Sequence, residues 1–509
     1  MGCLQALNAK GELSPLPVDG DGHLEVAIHS PKLPFGAIHT ERLNPIFQCD
    51  GVYGINSQLV TTSTSLSGVA TTESSMYKVS TGTTIYGFGT IQSRKRLRYR
   101  PGQGLVGRFA GIFDAGVANS ILVAGFGHAE DGFFFGYNGT QFGILHSRRG
   151  VREVQTLTVA TGSSTAENLT ITLAGTAYTV AVTNSGSTLK TSYEISLGTY
   201  AGWKAEQVDG TVIFVKDAVG NATGTFSLSG STAVGTFAET LAGVAATETW
   251  YYQSSWSNDP MNGSGISGVT LNPQMGNVYG IDLEYLGFGA IRFFIETNRD
   301  GNNPTMHPVH TISYANANTS TSVGNPSFPF TMAAYSAGST SNLSVKVGSF
   351  AGFTGGDKVL NGPHISHFNN ITTAGASNYQ AIFTIRNGRY RSGRTNQSVI
   401  NLLSIAAAIK HTQPASIYII RGGTLGGTPN FTSVSSTSCA YIDTAATTVT
   451  PASNSDIIFA LPLAETGQLQ LIFPGEVTLQ PGETITIAAK TVSGTAAHVI
   501  ASLNTREDH

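Results

Sequence analysis

The sequence predicts a mainly β protein. Its expected architecture is a β-sandwich of jelly-roll or laminin-G-like type, a small α+β insert and a C-terminal β-sandwich. Three observations carry this. Short apolar runs alternate with Gly, Asn, Ser and Thr breaks at about 8–12-residue spacing through most of the chain, the pattern of β-sandwiches. Charged residues are only 12% of 509, so hydroxyls and amides must cover most of the surface, which suits Thr-rich strands. Sixty glycines supply the tight turns that short strands need.

Taken in chain order, residues 1–40 read as an extended arm. One short strand in LEVAIHSPKLPFG is followed by prolines that keep the chain open. The stretches IFQCDGVYGI, TTIYGFGTIQS, GLVGRFAGIF, SILVAGFG and QFGILHS read as strands of a first sandwich. The texture changes at 151. NLTITLAGTAYTVAVTNSG is a hairpin with Leu169, Ile171, Leu173, Tyr178, Val180 and Val182 alternating, and TLKTSYEISLGTY (188–200) has the residues of a short helix. GWKAEQVDGTVIFVKDAVG gives two more strands, and TGTFSLSGSTAVGTFAET reads as a second hairpin.

The Gly-aromatic strand texture returns in NVYGIDLEYLGFGAIRFFIETNRDGN (277–302), where Asn298-Arg299-Asp300-Gly301 is a turn signal. The first sandwich is therefore expected to be discontinuous, over 41–150 and 251–356, with the insert at 151–250. Residues 357–509 form the C-terminal sandwich. VINLLSIAAAIK fits either a strand or an amphipathic helix by periodicity; its strand-like neighbours favour a strand. Pro474-Gly475 and Pro481-Gly482 punctuate the last strands.

The composition also bounds function. A net charge of −3 argues against nucleic-acid binding by the whole chain, and no segment approaches the roughly 20 apolar residues of a membrane span. Cys3, Cys49 and Cys439 give no disulfide framework or metal spacing, and no cofactor is implied. The N-terminus lacks an apolar signal region. Gly2 and Cys3 invite acylation, but Ala6 stands where the myristoylation pattern wants Ser or Thr. The sequons at Asn138 and Asn262 are expected by chance in so hydroxyl-rich a chain.

Few residues carry chemistry. His128, Glu130 and Asp131 look catalytic as a set. A glycosidase needs two carboxylates facing one cleft, whereas adjacent carboxylates on a strand point to opposite faces. In AEDG, Asp and Gly have the plainer task of reversing the chain, and Phe133, Phe134 and Phe135 then alternate between core and outer face. Asn138-Gly139 is the next hairpin turn. His307 with His310 and His364 with His367 lack accompanying ligands for a metal and read as structural. Arg94, Arg96, Arg98 and Arg100 in SRKRLRYRPGQG alternate as one exposed strand face, with contact to phosphate or an acidic neighbour as the functional alternative. RNGRYRSGR (386–394) reads as an exposed basic hairpin loop.

GFGHAEDGFFFGYNGTQFGILHSRRGVREVQTLTV, GWKAEQVDGTVIFVKDAVG, YGIDLEYLGFGAIRFFIE and MHPVHTISYANA form an ordered series, closed by LQPGETITIAAKTVSGTAAHVIASLNTRED. In texture and order this series resembles large virion structural proteins of tailed phages and of large DNA viruses of algae. The resemblance implies a minor capsid, fibre or spike protein located in the virion, working through contacts with itself as a homotrimer and with other virion proteins. Host-surface attachment is a further role it leaves open, and it implies no enzymatic residues. The second reading is a carbohydrate-binding sandwich that takes glycans through Trp203, Trp250, Tyr251, Tyr252 and Trp256. A polysaccharide-degrading enzyme is the third.

Overall fold

The computed structural model describes residues 43–297, 304–356, 362–373, 377–391, 393–410, 413–473, 477–492 and 495–508, with the backbone of a short antiparallel pair, Gln5–Leu7 and Leu13–Pro15. The rest of the predicted arm, the turn at Asn298–Gly301, the Pro474-Gly475 pair and Cys3 lie outside the described residues. Strands dominate, at 59% against 3% helix, in several antiparallel sheets. The single α-helix among the described residues, Thr188–Ser196, is the one the sequence predicts; the Ser187 side chain caps it by accepting from the Lys190 N–H.

Two sheets pack around the first core. The front sheet runs Thr247–Tyr252, Gln141–Arg148, Gly132–Asn138, Ser120–Gly127, Ser327–Ser336, Phe88–Arg98 and Val60–Ser65. The back sheet runs Thr305–Ile312, Ile291–Thr297, Asn277–Leu283, Leu105–Phe113, Ser344–Gly355, Met76–Ser80 and Val69–Glu73, with Leu43–Asp50 also paired to Ser344–Gly355. Residues from Phe47 to Ile144 and from Trp256 to Phe350 line one core. Its centre is aromatic: Phe109 stacks on Tyr279 at 5.0 Å, and Phe330 on Phe350 at 4.1 Å. Alternation explains the triple phenylalanine. Phe133 and Phe135 enter this core, and Phe134 joins a small outer cluster with Val123 and Leu145.

The hairpin turn after Phe135 sits one residue later than the sequence predicts. Asn138 pairs with Gln141, so Gly139 and Thr140 form the two-residue loop, and the positive φ of 58° at Gly139 is what needs glycine there.

Residues 152–241 form a two-sheet unit, and Thr247–Tyr252, at the end of the expected insert, belongs to the front sheet of the first sandwich. Arg152–Thr161 lies between Thr211–Val219 and Val234–Leu241 in one sheet, with Trp203–Val208 beyond; Glu167–Leu173 lies between Thr176–Val182 and Ser227–Ser229 in the other. The predicted second hairpin over 223–240 does not form, because its two strands go to different sheets. The loop between them is held by Glu167, whose carboxylate accepts the N–H groups of Ser231, Thr232 and Ala233. This unit is not a free module. Val154, Tyr193, Val208, Ile213 and Val215 share a second apolar core with Leu425, Phe431, Tyr441 and Val449 of the C-terminal sandwich.

The C-terminal sandwich packs the sheet His364–Thr372, His498–Asp508, Val399–Ile409, Gln468–Ile472 against a larger one centred on Tyr379–Asn387 and Thr484–Thr491. Val399–Ile409 is a strand, as its neighbours imply, and Ile405, Ala407 and Ile409 face inward at a period of two. Among the described residues no helix is long and apolar enough to cross a membrane.

Candidate functional site

The four arginines of strand Phe88–Arg98 and its extension alternate as predicted, but their face is covered. Period two tells which residues share a face; it cannot tell that a distant part of the chain lies on it. Arg94 Nη1 lies 2.6 Å from Glu483 Oε1, and Arg96 donates to the Gln397 side-chain oxygen. Arg98 donates to the carbonyls of Asp508, at 2.7 Å, and Gln397. Arg100 donates to both Asp508 carboxylate oxygens at 3.0 and 3.1 Å. The expectation of an exposed contact face is therefore corrected: these cations join the first sandwich to the C-terminal one. Burial pulls Arg96 down to about 9 and Arg98 to about 10, from the usual 12.5.

The corner His128–Asp131 completes the same junction. It reverses the chain between Ser120–Gly127 and Gly132–Asn138, as the AEDG sequence predicts, yet all of its polar residues are buried. Asp131 Oδ1 accepts the N–H of Arg149 at 2.9 Å and of Gly324 at 2.7 Å, and Oδ2 that of Asn325 at 3.0 Å. Glu130 lies 3.2 Å from Arg152 Nε and accepts from Thr395 and, at 3.0 Å, from Gln397. Burial pushes the Glu130 carboxyl up, but Arg152 and these donors outweigh it and hold it below the usual range. One carboxylate thus touches the first sandwich, the insert and the C-terminal sandwich. The two carboxylates serve separate hydrogen-bond sets and share no open cleft.

The predicted aromatic contacts divide. Trp203 and Trp256 are core residues, each 5% exposed: Trp203 packs edge-on to Phe226 at 5.8 Å, and Trp256 against Phe135 at 6.2 Å with its Nε1–H bonded to the Tyr251 carbonyl. Tyr251 packs on the first core beside His310. Trp203 and Trp256 are corrected from surface to interior, and Tyr251 is half-buried against the core. Tryptophan is apolar enough to be buried wherever its N–H finds an acceptor, so residue type alone did not separate the two fates. Trp250 and Tyr252 stay half-exposed on the outermost strand of the front sheet, their rings parallel within 11° at 6.4 Å, with Asn138 donating to the Tyr252 hydroxyl at 3.2 Å.

The histidine pairs do not meet as ligands, and the described residues hold no group of three metal-binding side chains. His307 bonds Asp259 at 3.0 Å, and His310 Nδ1 accepts the Ser257 N–H at 3.1 Å. His367 is buried, whereas His364 is exposed.

Sequence reasoning missed one surface. Val60–Ser65 and Val69–Glu73 are the outermost strands of the front and back sheets on the same side of the first sandwich, and among the described residues each pairs on one edge only. The four residues after Val60–Thr61 in the first of them are exposed Thr and Ser, without the Lys or Pro that blunts an open edge. At one end of the strand stand Val52, Tyr53 (99% exposed), Ile55 and Leu59; at the other stand Leu66 (68%), Val69, Ile85 and Tyr86 (56%). The second group is held together locally: Gly68 N–H bonds the Ser65 carbonyl, and Thr84 N–H the Ser67 hydroxyl. The signal was present as apolar residues inside turn-like segments.

No known protein family and no curated protein sequence matches the chain. Among solved structures it is similar to a lectin from Bauhinia forficata in complex with GalNAc, at 7% identity over 60% of this chain and 97% of that one, with a TM-score of 0.21. It is also similar to the Faustovirus major capsid protein, at 8% identity over 89% and 92% of the two chains, with a TM-score of 0.11. At these TM-scores neither likeness carries an argument about function.

Proposed function

We propose that this chain is a structural component of a virus particle, a minor capsid, fibre or spike protein, that works through contacts with copies of itself and with other virion proteins and carries no catalytic function. The observation that supports it best is the open edge at Val60–Ser65 and Val69–Glu73, flanked at both ends by exposed apolar side chains. A free monomer seldom keeps such an edge unprotected, whereas a permanent assembly covers it. Ion pairs and one shared core join the three units to one another, which suits a particle component. The trimer follows the resemblance of the strand series to virion proteins.

Sedimentation velocity at micromolar concentration tests this. Wild type should sediment as a trimer, and a variant carrying Tyr53→Lys, Leu66→Lys and Tyr86→Lys as a folded monomer. A wild-type monomer would overturn the proposal.

A second reading, a carbohydrate-binding sandwich, is favoured by the parallel, half-exposed rings of Trp250 and Tyr252 with Asn138 beside them. Glycan binding lost in Trp250→Ala with the fold intact would support it.

A further inference from the structure

Where the three units meet, they leave a cleft of about 460 Å³, a size typical of small-ligand sites, roughly 300–1,000 Å³. Five cations line it: Arg94 and Arg96 from the first sandwich, Arg152 and Lys204 from the insert, and Arg389 from the C-terminal sandwich. Three are balanced. Arg94 has Glu483 at 2.6 Å, Arg152 has Glu130 at 3.2 Å, and Lys204 has Asp217 at 3.6 Å. Arg96 and Arg389 have no carboxylate within ion-pair distance among the described residues. The cleft is therefore cationic in a chain whose net charge is −3, and low-dielectric walls concentrate that field.

Three buried polar atoms of residues on its walls lack a hydrogen-bond partner, two donors and one acceptor. Arg96 Nε and Arg152 Nε are donors without an acceptor, and Gln480 Oε1 is an acceptor without a donor. Such atoms cost stability unless something pairs with them. Besides the paired carboxylates of Asp217 and Glu483 and the apolar Val215 and Pro481, the wall is hydroxyl and amide, from Thr61, Ser63, Gln92 and Asn396 among others, and among the described residues no aromatic ring lines it.

We propose that this cleft binds an acidic saccharide, with its sulfate or carboxylate held by Arg96 and Arg389 and its hydroxyls by the amide and hydroxyl wall. Guanidinium groups match planar and tetrahedral oxyanions. Sugar hydroxyls both donate and accept, so they meet Gln480 Oε1 as well as the wall donors. A nucleic acid would call for stacking rings, which the wall does not offer. The site does not include the Trp250–Tyr252 pair, and its Thr61, Thr62 and Ser63 belong to the open strand Val60–Ser65, so a ligand bound here lies beside the proposed assembly edge while resting on the cleft's own lining.

Titration calorimetry on the full chain tests the proposal, with galactose 6-sulfate and glucuronate as probes. Unsulfated galactose, and sodium sulfate at matched ionic strength, serve as comparisons. One acidic sugar should bind at least tenfold more tightly than galactose and than free sulfate. Arg389→Gln and Lys204→Gln remove charge at the cleft without breaking a buried ion pair; each should weaken that binding at least fivefold while leaving thermal unfolding unchanged. Equal binding of galactose, equal binding of free sulfate, or wild-type affinity in both variants would overturn it. Sedimentation run alongside keeps the outcomes apart: a trimer that ignores acidic sugars defeats this inference alone, and a monomer that binds them defeats the assembly alone.

Discussion

Acid should unfold this protein well above the range where carboxylates titrate. Four histidines are almost wholly buried: His128, His146, His310 and His367. Burial pulls His128 from 6.5 down to about 3 and the other three to about 4. Contacts agree with a neutral ring, since His128 Nδ1 accepts the Glu130 N–H and His310 Nδ1 accepts the Ser257 N–H, which protonation would break. A folded value depressed below the unfolded one means that the unfolded chain binds more protons between the two, so stability falls as pH falls from about 6.5 towards 4. Between pH 7 and 5 each such histidine costs about 2 kcal/mol, and the four together about 8 kcal/mol. Glu206 and Asp131, held by burial above the usual carboxylate range, titrate in the opposite sense and reduce the loss. A loss of up to about 8 kcal/mol is comparable to the whole stability of many domains, about 5–15 kcal/mol. Urea unfolding followed by tryptophan fluorescence at pH 7, 6 and 5 measures it, and His146→Gln should flatten the profile by about 2 kcal/mol. An unchanged midpoint between pH 7 and 5 would refute the reasoning.

Asp508→Ala strands Arg98 and Arg100 in the junction and should cost about 3–5 kcal/mol, with the two sandwiches melting separately in calorimetry. Glu130→Ala should cost a similar amount by removing the partner of Arg152, whereas Glu130→Gln, which can still accept from Thr395 and Gln397, should cost less; chemical denaturation ranks the two. Trp256→Ala should destabilise by about 3–5 kcal/mol through the cavity it leaves, and Trp250→Ala by a fraction of that, as read from thermal melts. Gly136→Ala drives a methyl into the Leu122 carbonyl of the neighbouring strand and should cost about 1–3 kcal/mol in the same assay.

Local pattern was legible and long-range cover was not. The alternation of Leu169, Ile171 and Leu173, the helix at Thr188–Ser196 and the strand at Val399–Ile409 follow from periodicity, because one face of each meets a core built nearby. The arginine strand showed its face in the same way. That Glu483 and Asp508, nearly 400 residues further along and more, would lie upon it is a tertiary fact with no local signature. The corner at His128–Asp131 was legible as a turn, but its burial depended on Thr395 and Gln397 arriving from another unit. Trp203 and Trp256 were misplaced for a related reason: a large ring with one N–H suits a surface platform and an interior equally, and only the packed neighbours decide.

The position of strand Ser344–Gly355 bears on how the chain is made. It lies between Leu105–Phe113 and the strands Leu43–Asp50 and Met76–Ser80, so the back sheet stays split until it leaves the ribosome. Residues 114–343, 230 in all, must be synthesised in between, which takes roughly 12–46 s at about 5–20 residues per second. The insert draws both its sheets from residues 152–241 and can fold during that wait. A nascent chain paused in that interval therefore presents an insert whose own inner core is closed but whose face towards the C-terminal sandwich is bare, tethered to an unfinished, apolar half-sandwich. That species is the one a holding chaperone would have to shield, and premature termination there would yield a fragment whose N-terminal half has nothing to close upon.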